Sequence, residues 1–210
     1  MIIGITGFIS SGKDTIADYL TTFHGFRRIS FAASLKDAIS DVFGWDREML
    51  EGTTKDSREW REQVDPWWSE RLNMPQLSPR WILQQWGTEV CRNSFHNDIW
   101  VASVENKLLK TNDNIVITDC RFKNEIEGIR RSGGKVIRVT RGPEPEWYKD
   151  AIMYNKGPQN IGWALAKHRL EQLGIHASEY SSVGLDYDHY ITNDGTIDDL
   201  HKEIDKLINL

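Results

Sequence analysis

The chain has 210 residues, 39% of them hydrophobic and 27% charged, ordinary proportions for a globular protein that buries one core or one core carrying an insertion. Its net charge of −5 excludes a broad nucleic-acid surface, which needs a basic stripe to displace counterions. No apolar run approaches the ~18 residues of a membrane span, and residues 1–7 (MIIGITG) lack the regions of a signal peptide; the expectation is a cytoplasmic protein with no membrane or nucleic-acid partner.

In chain order, residues 2–6 (IIGIT) predict a buried strand leading into a glycine-rich turn. A helix follows from Lys13, with Ile16, Leu20 and Phe23 on one face. A second strand is expected over 27–31. The next helix follows from Leu35, Ala38, Ile39, Val42 and Phe43 at i, i+3, i+4, i+7 and i+8. Residues 44–77 are charged, aromatic and poorly periodic, and are read as an excursion from the sheet. Seven of the nine tryptophans lie between Trp45 and Trp100, which suggests an aromatic-rich subdomain with an exposed face for a homodimer. Ser78-Pro79 is a helix start, with Leu83, Trp86 and Val90 along one face, and another helix covers about 98–110. Strand IVIT (115–118) ends in Asp119, and a helix through Ile126 and Ile129 stops at Gly133-Gly134. Strand KVIRV (135–139) follows. Residues 141–185 hold prolines, glycines and one helix ending before Gly174. HYIT (189–192) is the last strand. Thr196 and Asp199 have capping-box spacing ahead of a helix whose face runs through Ile197, Leu200, Ile204, Leu207 and Ile208. Cys91 and Cys120 are isolated, so neither a disulfide framework nor a thiolate metal site is indicated.

Strands alternating with helices imply an α/β fold, with a mainly parallel five-stranded sheet and helices on both faces. Ligands of such sheets bind beyond the carboxyl ends of the strands. Those ends carry residues 7–15, 119–121 and Arg141, which are expected to converge on one crevice.

The stretch GFISSGKDT (7–15) satisfies G-x-x-x-x-G-K through Gly7, Gly12 and Lys13. After a strand and before a helix, this spacing reads as a phosphate-binding loop. The glycines let backbone N–H groups point inward, the helix start adds its positive end, and Lys13 neutralises phosphate charge. Asp14 stands where serine or threonine is usual. GKDT resembles the loop of nucleoside monophosphate kinases, which place glycine and then threonine after the lysine, and Thr15 then supplies the hydroxyl. Asp14 has three readings. It accepts the proton of an alcohol acceptor; it orients Mg²⁺ waters or Lys13 if the acceptor is a phosphate; or it is an aspartate favoured by the helix dipole. In ITDCRFKNE (117–125), Asp119 sits where a Mg²⁺-linked carboxylate is held, and Arg121 suits bidentate phosphate contact.

Several segments together resemble one family, the bacteriophage deoxynucleoside monophosphate kinases. They are GKDT, SFAASLKDAI (30–39), SPRWILQQWGTEVCRNSF (78–95) with IW at 99–100, ITDCRFKNE, KVIRVTR (135–141), HASE (176–179) and YITNDGTIDDL (190–200). The resemblance implies a P-loop kinase-like fold and transfer of the γ-phosphate of ATP to a deoxynucleoside 5′-monophosphate. On that reading Gly7, Ser10, Ser11, Gly12, Lys13, Asp14 and Thr15 bind ATP. Asp14, Thr15 and Asp119 serve Mg²⁺, directly or through water. Lys36, Arg80, Gln84, Thr88, Asp119, Arg121 and Glu179 line the acceptor side. Lys13, Asp14, Arg121 and a lid arginine, Arg141 or Arg169, act in transfer. The domain expectation is one kinase domain over 1–210. Its core covers about 1–43, 111–141 and 186–210, with an acceptor-binding insertion over about 44–110 and a lid over about 142–180. Two other functions fit the loop: a P-loop kinase of another small metabolite such as dephospho-coenzyme A, and a non-catalytic ATP-binding protein.

Overall fold

The computed structural model describes residues 1–208. The chain divides into two units, one of residues 1–30 with 107–210 and one of Phe31–Asn106.

The first unit is built on five parallel strands: β1 Ile2–Thr6, β2 Phe26–Ile29, β3 Asn114–Ile117, β4 Lys135–Thr140 and β5 His189–Thr192. Their order in the sheet is β2-β3-β1-β4-β5, with β1 central. The register sets Gly4 opposite Ile117 and Thr6 opposite Arg138, and Thr140 opposite Thr192. The loops after β1, β3, β4 and β5 therefore leave the same edge. Ile3, Ile5, Val116, Ile137, Val139 and Ile191 form the core with Ile16, Ala17 and Leu20 of α1 (Lys13–Phe23) and Leu200 and Ile204 of α12 (Ile197–Ile208). The fold class is the one expected, α/β with a five-stranded parallel sheet. Strand β3 starts and ends one residue early, and β2 covers 26–29 rather than 27–31. Phe23 and Ile197, expected on buried faces, are exposed, because Ala17 takes a share of the buried stripe of α1 and Ile197 opens the first turn of α12.

Helix α8 (Lys123–Arg131) starts where Glu125, buried, accepts the backbone N–H of Arg121 at 2.7 Å and of Phe122 at 3.0 Å through one oxygen. Residues 142–180 form three helices, α9 (Tyr148–Asn155), α10 (Trp163–Gln172) and α11 (Ala177–Tyr180), where one was expected. They bury Ala151, Leu170, Tyr180 and Val183 in a cluster of their own, against which Phe8 of the glycine-rich loop packs. Phe8 also meets Trp147 and Tyr148 edge-on, at 5.4 and 6.1 Å between ring centres. Beneath it lies Arg138, buried on β4 and bonded to Glu144 at 3.0 Å.

The second unit begins at Phe31, so that α2 (Ala33–Phe43) belongs to it. The reason is the face of α2: Leu35, Ile39 and Phe43 bury against Trp45, Leu50, Leu77 and Ile82. Residues 44–77 are not irregular but hold three short helices, α3 (Arg47–Glu51), α4 (Lys55–Glu62) and α5 (Pro66–Leu72). Each has a side-chain cap, from Asp46, Thr54 and Asp65 respectively. Six of the tryptophans expected to cluster do so, Trp45, Trp60, Trp68, Trp81, Trp86 and Trp100, while Trp67 is exposed. Indole N–H groups of Trp45, Trp68 and Trp100 have fixed partners. Trp45 donates to Asp65 at 2.8 Å, Trp68 to the Phe43 carbonyl at 3.0 Å and Trp100 to the Gly87 carbonyl at 2.8 Å. Helix α6 (Pro79–Gln84), capped by Ser78, runs on as a π-helix over Gln85–Phe95, and α7 (Ile99–Leu108) follows. The wider π pitch turns Val90 out of the stripe of Leu83 and Trp86, and Val90 is exposed.

Candidate active site

Strand β1 runs out at Thr6 and the chain turns at once into α1. Gly7 and Gly12 have φ of 153° and 105°, and Ser10 has φ of 64°, so the backbone curls through conformations that open space for inward N–H groups. The close packing explains the glycines further. A Cβ on Gly7 would lie 2.3 Å from the Val139 carbonyl oxygen, and one on Gly12 would lie 2.3 Å from Asn193 Nδ2. The N-cap of α1 is Gly12 and no side chain caps it, which leaves the first-turn N–H groups to a ligand. Ser11 Oγ is buried with no hydrogen-bond partner among the described residues. A buried hydroxyl beside uncapped N–H groups is a donor set that suits phosphate oxygens.

Lys13 Nζ donates to the carbonyls of Gly7 at 2.8 Å and Phe8 at 2.7 Å, so it lies back across the loop. Its pKa is lowered from the ordinary lysine value, first by burial and then by the Arg121 guanidinium, with Asp14 and Glu179 opposing. Arg121 follows β3 and donates to Glu179 at 3.1 Å and Ser178 at 3.5 Å on α11. Two cations are thus gathered at the loop, one resting on carbonyls and one on a carboxylate. Glu179, expected to meet the acceptor, is the partner of Arg121. His176 caps α11, its Nδ1 accepting the Ser178 N–H at 3.3 Å.

Asp14 is held from β2 and Asp119 from the residue that follows that strand. Arg28 donates to Asp14 and also to Thr118 Oγ1 at 2.7 Å, and Ser30 Oγ donates to Asp119 Oδ2 at 2.7 Å. Sequence reasoning assigned nothing to Arg28 or Ser30. Only the pairing of β2 with β3, Ile29 opposite Ile117, reveals that they flank the D-x-R stretch. Asn193 was also missed: its Nδ2 donates to the Ser11 carbonyl at 2.9 Å and its N–H to the Thr140 carbonyl at 2.8 Å, tying the turn at 193–195 to the glycine-rich loop. Thr15 lies on the first turn of α1, half-buried. Arg141 is exposed at the end of β4, and Arg169 is paired with Asp150 at 3.2 Å. Among the described residues no three His, Cys, Asp or Glu side chains come together as a metal site, and no helix is long and apolar enough to cross a membrane.

In the second unit, Lys36 Nζ donates to Glu51 at 2.5 Å, and Glu51 also accepts from Arg47 at 2.5 Å. Burial pushes the Glu51 carboxyl up, but the two cations outweigh it and hold it below its usual range. Arg80 is half-buried at the start of α6, 4.0 Å from Glu62. Gln84 ends α6, and Thr88 lies in the π-helical run; both are half-buried.

A protein of Acanthamoeba polyphaga mimivirus, provisionally named as a deoxynucleotide monophosphate kinase, is 32% identical over 153 residues, 67% of this chain and 74% of that one. The chain belongs to the deoxynucleotide monophosphate kinase family. The family Deoxynucleotide monophosphate kinase matches over residues 69–157. The deoxynucleoside-5′-monophosphate kinase of Escherichia phage T5 is 27% identical over 226 residues, 84% of this chain and 86% of that one. A solved dephospho-CoA kinase from Campylobacter jejuni covers 99% of this chain and 95% of its own, at 19% identity and a TM-score of 0.42. The family's activity is deoxynucleotide monophosphate kinase activity, and a kinase of this family implies ATP as donor and a deoxynucleoside monophosphate as acceptor. The deoxynucleotide monophosphate kinase family thus decides between the acceptor classes that the loop alone left open. The group that accepts the phosphoryl is then a phosphate rather than an alcohol.

Proposed function

We propose that the ATP of this deoxynucleotide monophosphate kinase binds on residues 7–15, and that its γ-phosphate passes to the 5′-phosphate of a deoxynucleoside monophosphate. The observation that carries this reading is the uncapped start of α1 with the buried, unpartnered Ser11 hydroxyl beside Lys13. Loop N–H groups between Gly7 and Thr15 take the phosphate oxygens, apart from that of Ser11, which donates to the Phe8 carbonyl at 3.2 Å; the Ser10 and Ser11 hydroxyls join them. Lys13 leaves the Gly7 and Phe8 carbonyls for the β- and γ-phosphates. There the surrounding negative charge reverses the lowering of its pKa.

An acceptor phosphate is already ionised near neutral pH, so catalysis rests on positioning and charge neutralisation rather than on a strong base. Arg121 exchanges Glu179 for the phosphoryl group in transit, and Arg141 is the lid arginine we favour, since Arg169 is engaged with Asp150. Lys36, Arg80, Gln84 and Thr88 are the acceptor-side residues, with Asp119. Asp14, Thr15 and Asp119 offer hard oxygen donors of the kind Mg²⁺ takes. Mg²⁺ in general keeps several waters and is held through one or two carboxylates with substrate phosphates. When bound, Mg²⁺ would supply neutralisation of phosphate charge.

The test is ATP consumption, by a coupled assay, over dAMP, dGMP, dCMP, dTMP and dUMP, with dephospho-coenzyme A as comparison. Turnover with at least one deoxynucleotide, abolished in Lys13→Ala with its fold intact, is the expected result. Intact activity in Lys13→Ala would overturn the site, and turnover confined to the non-phosphate hydroxyl of dephospho-coenzyme A would overturn the acceptor.

A further inference from the structure

Arg28 stands outside the phosphate loop, yet its guanidinium joins the loop's helix to the end of β3. Nη2 donates to Asp14 Oδ1 and, at 2.7 Å, to Thr118 Oγ1, while Nη1 lies 3.7 Å from Asp18 Oδ1. Asp14 immediately follows Lys13, in the first turn of α1. A carboxylate there opposes an incoming polyphosphate, since like charges a few ångströms apart repel at the effective dielectric of a protein surface. An arginine fastened to it removes that repulsion. The guanidinium is itself anchored by a second, neutral hydroxyl, so it does not wander with the carboxylate. It binds one carboxylate oxygen, Oδ1, which fixes the direction of the other.

We propose that Arg28 is a positioning residue of the nucleotide site: it cancels and orients the Asp14 carboxylate, so that the loop accepts a polyphosphate despite an aspartate beside Lys13. The proposal rests on the reading of residues 7–15 as the ATP site.

Isothermal calorimetry of ATP binding at low salt in excess EDTA tests it without turnover, in the wild type, Arg28→Gln, Asp14→Asn and the double variant. Their Asp14–Arg28 pairs are neutral, negative, positive and neutral. The Arg28→Gln variant is expected to bind about tenfold more weakly than wild type. Asp14→Asn is expected to bind more tightly, and the double variant to return to within about threefold of wild type. Recovery in the double variant is what a purely structural arginine would not give. The Asp14 side chain is 74% exposed, so loss of Arg28 leaves a solvated carboxylate and the fold is expected to survive. If Arg28→Gln is nonetheless too unstable to titrate, Asp14→Asn against the double variant carries the same comparison, with about tenfold weaker binding expected in the double. Arg28→Lys keeps the charge and is expected near wild type. Wild-type affinity in Arg28→Gln, or no recovery in the double variant, would overturn the proposal. Lys13→Ala separates the two readings. If it binds ATP as the wild type does, the ATP site itself is wrong; if it loses ATP while Arg28→Gln does not, only the role of Arg28 is wrong.

Discussion

Gly7→Ala, read against Gly25→Ala, separates the two reasons a glycine stands in the phosphate loop. Gly25 has φ of +66° and a Cβ there would meet nothing within 4 Å. Its alanine variant therefore reports left-handed backbone cost alone, about 1–2 kcal/mol. Gly7 has φ of +153°, and its Cβ would lie 2.3 Å from the Val139 carbonyl oxygen and 2.7 Å from Ser11 Oγ. The serine can rotate. The carbonyl cannot, because Val139 lies within β4, which is paired with β1 on one side and β5 on the other. Overpacking against a fixed atom adds about 1–3 kcal/mol, so Gly7→Ala is expected to cost about 2–5 kcal/mol in all. Urea unfolding measures that cost, and ATP titration measures whether the loop has kept its shape. Gly7→Ala is expected to be less stable than Gly25→Ala by about 1–3 kcal/mol and to bind ATP at least about tenfold more weakly, while Gly25→Ala binds normally. Equal stability in the two variants, with ATP binding intact in both, would refute the argument from close approach.

Two further outcomes are expected. Burial, and after it Arg121, lowers the Lys13 pKa below the ordinary 10.5; the protonated form then costs stability below the lowered value, and that cost is relieved as pH rises from there toward 10.5. ATP affinity should fall along the same alkaline window, as Lys13 loses its proton, and Arg121→Gln should move that limb to higher pH; a limb that stays in place would show that Arg121 does not act on Lys13. Glu125→Ala strips the partner from the Arg121 and Phe122 N–H groups and should cost about 2–3 kcal/mol in urea unfolding, with a fall in turnover because Arg121 loses its anchor. A cost below about 0.5 kcal/mol would mean that the buried carboxylate does not hold this turn.

What could be read from the sequence was local. Strand, glycine turn and helix follow one another within residues 2–23, and each step has its own signal, so the phosphate loop and the central strand were legible. The three helices of residues 44–77 were missed because five to eight residues do not complete enough turns to show a period. Their caps were nonetheless present, Asp46, the Thr54–Ser57 pair and Asp65 before Pro66, and a search for caps alone would have found them. Arg28, Ser30 and Asn193 were given no role, although Ser30 and Asn193 lie within segments that carry the family resemblance. Their partners lie 14, 89 and 182 residues away, and only the strand register connects them. Phe23 and Val42 were assigned inward by spacing and lie outward, since a helix face narrower than the apolar pattern leaves its margin in solvent; Val90 lies outward because the π-helical run breaks the 3.6-residue period.

The insertion of Phe31–Asn106 between β2 and β3 also has a consequence for how the chain reaches its fold. Those strands are neighbours in the sheet, with Phe26 opposite Asn114 and Ile29 opposite Ile117, so their pairing must close a loop of more than 80 residues. Closure of a flexible loop of that length costs on the order of 4 kcal/mol of entropy before any strand contact repays it. The aromatic unit, by contrast, is continuous in sequence and holds short helices with caps of their own. It can therefore fold while the sheet is still incomplete, replacing a long flexible tether by a fixed one. The β2–β3 seam, from which Arg28 and Ser30 reach the site, is then among the last parts of the sheet to form. The proposed nucleotide site is thus expected to be a late product of folding, although its glycine-rich loop is encoded in the first fifteen residues.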